Sequence, residues 1–135
     1  MATILKCEKC GKILDTIKDS MCDTMCCGQA MSKLVPNTED ASHEKHVPAV
    51  IRRANQVRID VGAEEHPMTP EHFIEWIEIV QSGKVQRVEL NAQCSPMATF
   101  TFDSVEPIEV YAYCNLHGLW KTDYDIMAIA DEEDD

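Results

Sequence analysis

The sequence predicts a mainly β protein in two parts, a small metal-binding N-terminal module followed by a β-sandwich, and three observations carry the prediction. Cys7, Cys10, Cys26 and Cys27 stand in metal-ligand spacing within residues 1–35. A polar, proline-led stretch without apolar periodicity follows at 36–42. Beyond it, short runs rich in β-branched and aromatic residues alternate with proline, glycine and polar turns, the pattern of an antiparallel sandwich.

Residues 1–35 are too few to bury an adequate core, so metal must supply the missing stability. The Cys7-x-x-Cys10-Gly11 loop turns two sulfurs towards one ion, and the glycine accommodates the tight turn. Cys26-Cys27-Gly28 supplies the other two thiolates. An adjacent pair is unusual, because consecutive residues approach one metal only by distorting the tetrahedron. Four thiolates hold zinc or iron alike, so the functional reading, a one-iron electron-transfer centre, stands beside a structural metal. Cys22 and Cys94 read as spare thiols.

Residues 36–42 read as a linker, 43–124 as the sandwich and 125–135 as an acidic tail. The sandwich runs are 47–51, 56–61, 73–80, 84–90, 98–102, 108–113 and 119–124. One of them carries a conflicting signal. Thr69-Pro70-Glu71 resembles a helix start, and Phe73, Trp76, Ile77 and Val80 follow at helical spacing. Ser82-Gly83, directly before the alternating Val85, Arg87 and Glu89, marks a hairpin instead. The segment is read as a short turn near Pro70 followed by a strand.

Bulk properties exclude several classes. No run of 18 apolar residues occurs, and the N-terminus lacks a basic-then-apolar signal pattern, so a soluble, cytoplasmic protein is expected. Seven cysteines, an odd number, in metal-ligand spacing point to a reducing compartment rather than a disulfide framework. A formal charge of -12 argues against nucleic acid or an anionic membrane as partner. Seven carboxylates fall at or after Asp123 with no basic residue among them. The segment 43–58 runs the other way, with Lys45, Arg52, Arg53 and Arg58 against Glu44.

Nitrogen and thiolate donors recur in the second part, in Glu44-Lys45-His46-Val47-Pro48, in His66-Pro67 with His72, and in Cys114-Asn115-Leu116-His117-Gly118. Four imidazoles and one thiolate are one donor too many for a closed zinc tetrahedron, and they leave an octahedral corner open. Imidazole suits iron, and thiolate makes it electron-rich. Such a centre is equipped to bind a small molecule and change its redox state. His43 reads as a linker residue, and Trp76 and Trp120 as packing aromatics.

These motifs, with Phe73-Ile74-Glu75-Trp76-Ile77-Glu78 and the N-terminal cysteine pattern, closely resemble desulfoferrodoxin, the two-iron class of superoxide reductase. The resemblance runs to about Asp123. It implies a desulforedoxin-like N-terminal module, an immunoglobulin-like β-sandwich and a homodimer. It implies two iron ions per chain. One is held tetrahedrally by Cys7, Cys10, Cys26 and Cys27. The other is a square-pyramidal catalytic iron with His46, His66, His72 and His117 equatorial and Cys114 axial. Glu44 is implied as the carboxylate that takes the sixth position in the ferric state, and Lys45 as the cation beside the open corner. The implied reaction is reduction of superoxide to hydrogen peroxide, with a rubredoxin-like electron donor.

The roles have physical reasons of their own. A thiolate opposite the open position donates electron density towards it, and hydrogen bonds to the sulfur tune the potential. Lys45 draws in an anion and stabilises its reduced form. A non-catalytic electron carrier using the first cluster is the alternative, and an intact Lys45 and ligand set count against it. A structural zinc protein leaves the fifth donor unexplained, and dismutation differs by evolving oxygen.

Overall fold

The computed structural model describes residues 2–39, 46–62 and 67–127. It divides into two compact units, Met1–Val35 and Pro36–Asp135. Among the described residues every regular element is a strand, and no helix is long and apolar enough to cross a membrane.

The first unit contains β1 (Thr3–Lys6), β2 (Ile13–Thr16), β3 (Met25–Cys26), β4 (Gln29–Ala30) and β5 (Ser32–Lys33). β1 pairs with β2 on one side and β5 on the other, and β3 and β4 form a separate hairpin. Only Ile4 and Cys7 are buried among the hydrophobic side chains described in this unit, whereas Leu14, Ile17, Met21, Met25 and Val35 are exposed. Burying one isoleucine stabilises by about 1.5–3 kcal/mol. Ordering each backbone residue costs about 1–2 kcal/mol. So small a core does not offset the entropy of a 35-residue unit, and a cross-link through its cysteines is required.

The second unit contains β6 (Pro48–Arg53), β7 (Gln56–Val61), β8 (Ile74–Gln81), β9 (Lys84–Glu89), β10 (Met97–Thr101), β11 (Ile108–Cys114) and β12 (Gly118–Tyr124). They form two antiparallel sheets, β10-β7-β6 and β12-β11-β8-β9. This is the sandwich the sequence predicts. Alternation follows from the strand period of two. Val57, Ile59 and Val61 of β7 meet Ile77 and Ile79 of β8, Phe100 of β10 and Val110 and Ala112 of β11 in one core.

The helical spacing over 73–80 resolves as a strand. β8 is a central strand of its sheet and is buried on both faces, with Ile77, Glu78 and Ile79 all at most 1% exposed. A strand covered on both sides loses its clean alternation and mimics helical periodicity. The turn before it is closed by Thr69 and His72, each donating its N–H to the other's carbonyl, at 3.0 and 3.1 Å. Ser82 and Gly83 have φ of +50° and +77°. That left-handed pair matches strand twist in a two-residue hairpin.

Packing continues on either side of the strands. Asn37 donates its N–H to Leu119 O and accepts the Lys121 N–H, both at 2.9 Å. Ile126 is fully buried, and Arg52 Nη1 donates to its carbonyl at 3.0 Å.

Candidate metal centres

The first group of donors gathers at two turns. Cys7 and Cys10 lie in the β1–β2 connection, closed by the Cys7 N–H to Lys12 O at 2.9 Å and the Gly11 N–H to Cys7 O at 2.8 Å. Gly11 takes φ +85° there. Cys27 and Gly28 are the two loop residues of the β3–β4 hairpin, with φ of +52° and +79°. The expected distortion of the adjacent pair therefore sits in the backbone. The Cys26 and Cys27 sulfurs lie 3.9 Å apart and those of Cys10 and Cys26 3.7 Å. Sulfurs at about 2.3 Å from one tetrahedral metal are about 3.8 Å apart, which these two spacings match, and all four sulfurs lie within 4.8 Å of one another.

Electrostatics around these thiols are uneven. The Cys10 N–H points at the Cys7 sulfur at 3.5 Å. That amide, ahead of the one from Lys9, lowers the Cys7 pKa to about 6 against the opposing effect of burial. Cys26 is pushed up to about 12, first by its hydrogen bond with Cys7 and then by that with Cys10. The thiolate form is thus favoured at Cys7 and disfavoured at Cys26.

The second group lies at one end of the sandwich. Cys114 ends β11 and Gly118 begins β12, directly opposite each other in register. Cys114 also faces Ile74 of β8 across a register shift that follows Tyr113. His72 precedes β8, His46 precedes β6, and His117 lies in the β11–β12 turn. Donor atoms of His46, His72, Cys114 and His117 all lie within 4.8 Å of one another. His46 and Cys114 are buried and His117 is exposed, so the sulfur faces the protein interior and the group opens at the imidazole side.

Distances within this group bear on its geometry. His46 Nε2 and His117 Nδ1 are 3.0 Å apart. Two nitrogens at about 2.0–2.1 Å from one metal are about 2.9 Å apart at a right angle and about 3.4 Å apart at the tetrahedral angle. The spacing lies nearer the right-angle value and is also within hydrogen-bond distance. Cys114 Sγ lies 3.9 Å from His117 Nδ1.

Two side chains around this group escaped the sequence reading. Trp120, read as a packing aromatic, stacks on the His46 ring with centroids 4.7 Å apart and planes 14° from parallel. Asn115, given no role, reaches across to the backbone on both sides of His72. Only its place inside the Cys-Asn-x-His motif hinted at this. Trp76, by contrast, stacks on Tyr113 at 5.8 Å, which is packing as read. Glu44, Lys45 and His66 lie outside the described residues, as does His43. Cys22 and Cys94 stand apart from both groups.

The structure thus defines a class, a two-unit β protein with a tetrathiolate group in one unit and an imidazole–thiolate group in the other. The family model described as Desulfoferrodoxin matches residues 38–123. Desulfoferrodoxin from Clostridium acetobutylicum is 48% identical over 101 residues, 75% of this chain and 79% of that protein. A desulfoferrodoxin homolog from Archaeoglobus fulgidus is 40% identical over 119 residues, 88% of this chain and 94% of that protein. The crystal structure of the superoxide reductase from Treponema pallidum superposes with a TM-score of 0.75 at 26% identity, covering 90% of this chain and 98% of that one.

The chain belongs to the desulfoferrodoxin family. Its four-cysteine group and its group of three histidines and one cysteine accord with the two iron sites of that family.

Proposed function

We propose that this chain is a superoxide reductase, an iron oxidoreductase that combines superoxide with one electron and two protons to give hydrogen peroxide. The observation that carries the reading is the mixed group of His46, His72, His117 and Cys114, with its sulfur buried and one imidazole at the surface. The name of the Treponema pallidum structure supports it.

His46, His72, His117 and Cys114, joined by His66, would hold the catalytic iron, and Cys7, Cys10, Cys26 and Cys27 the second. Bound ferrous iron supplies one electron and a coordination position for the small anion. The chain's own residues do the rest. Buried Cys114 supplies a thiolate shielded from water, where its charge is least screened. His72 and His117 are held by strand register and by the turns at Thr69–His72 and Cys114–Gly118, and His46, before β6 of the other sheet, is held against Trp120. Lys45 draws the anion to the group and favours its reduced form electrostatically. Glu44 would offer a carboxylate to the iron that these residues hold.

The electron comes from a small rubredoxin-like protein, and the role is superoxide detoxification in the cytoplasm. All seven cysteines are free, which suits a reducing compartment. The protein acts as a homodimer, as its resemblance to desulfoferrodoxin implies.

The test is a stopped-flow measurement of superoxide consumption by the iron-loaded, reduced protein with a rubredoxin as donor. Visible spectra are recorded before and after oxidation. The expected result is stoichiometric peroxide without oxygen and a red sulfur-to-iron charge-transfer band that is lost in Cys114→Ser. Oxygen evolution would make the protein a dismutase, and a tetrathiolate spectrum alone would make it an electron carrier.

A further inference from the structure

Asn115 ties together the two segments that carry His72 and Cys114, and the chemistry above gives it no part. Its Oδ1 accepts the Phe73 N–H at 3.0 Å. Its Nδ2 donates to Glu71 O, also at 3.0 Å. Its own backbone N–H donates to Phe73 O at 3.2 Å. Glu71 and Phe73 flank His72, while Cys114 precedes Asn115 and His117 follows two positions later. One residue thus holds the backbone on both sides of one donor against the backbone beside two others.

The chemistry of the side chain is specific to this task. A carboxamide offers a donor and an acceptor on one planar group, and the two contacts use one of each. Aspartate keeps the acceptor for Phe73 but turns an oxygen towards the Glu71 carbonyl. Serine is too short to reach both. The Thr69–His72 turn is closed by its own hydrogen bonds and anchored before by Met68, packed on the core, and after by buried Ile74; between those anchors the Asn115 side chain fixes the backbone on both sides of His72.

We propose that Asn115 is a positioning residue that sets the spacing of His72 from Cys114 and His117, and thereby the retention and electronic state of the iron they hold. The proposal rests on the reading of this group as an iron centre. Outer partners that orient ligands typically change metal affinity by about 10–100-fold when removed.

The test compares Asn115→Ala and Asn115→Asp with the wild type as iron-loaded full-length proteins. Measured are the position of the sulfur-to-iron band after oxidation and the rate of iron loss from this site to a chelator, with tetrathiolate absorption as internal reference. In both variants a shifted band and about 10–100-fold faster iron loss are expected, with the tetrathiolate absorption unchanged. Should Asn115→Ala not fold, Asn115→Asp, nearly equal in volume and still accepting from Phe73, decides alone. A wild-type band and release rate in folded Asn115→Asp overturns the proposal. Failure of the wild type itself to show the band overturns the iron reading and the proposal with it, and the two failures are told apart by which protein shows the loss.

Discussion

The indole of Trp120 lies 4.7 Å from the imidazole of His46, nearly parallel to it, and donates its N–H to the His117 carbonyl at 3.2 Å. One buried aromatic therefore restrains two donors of the second group, one through its face and one through its edge. Trp120→Phe keeps the face and loses the hydrogen bond, at a cost of about 1 kcal/mol. Trp120→Ala loses both and leaves a cavity, at a cost of about 3–5 kcal/mol. Denaturant unfolding measures the difference. The charge-transfer band of the oxidised protein is expected to move further in Trp120→Ala than in Trp120→Phe, and identical bands in all three proteins would remove Trp120 from the centre's support.

Metal removal is expected to affect the two units differently. The first unit buries only Ile4 and Cys7 among its described hydrophobic side chains, whereas the sandwich packs Ile59, Ile77, Ile79, Phe100 and Val110 at its centre. Chelation should abolish hydrogen-exchange protection of the β1 and β2 amides while those of β7, β8 and β11 stay protected. Protection of β1 that survives complete metal loss would contradict the entropy argument, because the unit would then fold without its cross-link.

The thiols set the acid limit of the first site. The Cys7 pKa is lowered from 9.0 to about 6. Its thiolate is therefore favoured in the folded unit, and that contribution is fully present above 9.0 and is lost as pH falls through about 6. Metal binding depresses the value further, since metal and proton compete for the same sulfur. Tetrathiolate absorption should persist at neutral pH and disappear on acidification, with Cys26, the thiol raised to about 12, taking up a proton before Cys7 does. Cys26→Ser should therefore remove the absorption at neutral pH, and a tetrathiolate spectrum that survives in that variant would contradict the assignment.

Legibility from sequence differed between the two groups. All four thiolates of the first were readable because Cys7 and Cys10, and Cys26 and Cys27, are local pairs whose spacing restricts what they can do. The place of the strain between Cys26 and Cys27 was not readable. It depends on a two-residue hairpin that puts Cys27 in the left-handed region. In the second group the residue types were legible and the resemblance ordered them. Which atoms converge was not, since His46 and His117 are 71 positions apart, one before β6 and the other between β11 and β12 of the second sheet, and meet only where the two sheets pack.

Side-chain chemistry is a local property, and the sequence by itself determined the donor types, the two-part plan and the strand runs, down to the Ser82-Gly83 hairpin. Contact across a sheet is a non-local property. Tertiary structure alone decided that β8 is covered on both faces and that Ile126 joins the core. It also decided that His46 offers Nε2 and His117 Nδ1 to the same space. The parts given to Trp120 and Asn115 belong there too. A tryptophan or an asparagine reads the same in any sequence, and only the register of β8, β11 and β12, with β6 packed against β12, places these two against the donor-bearing segments.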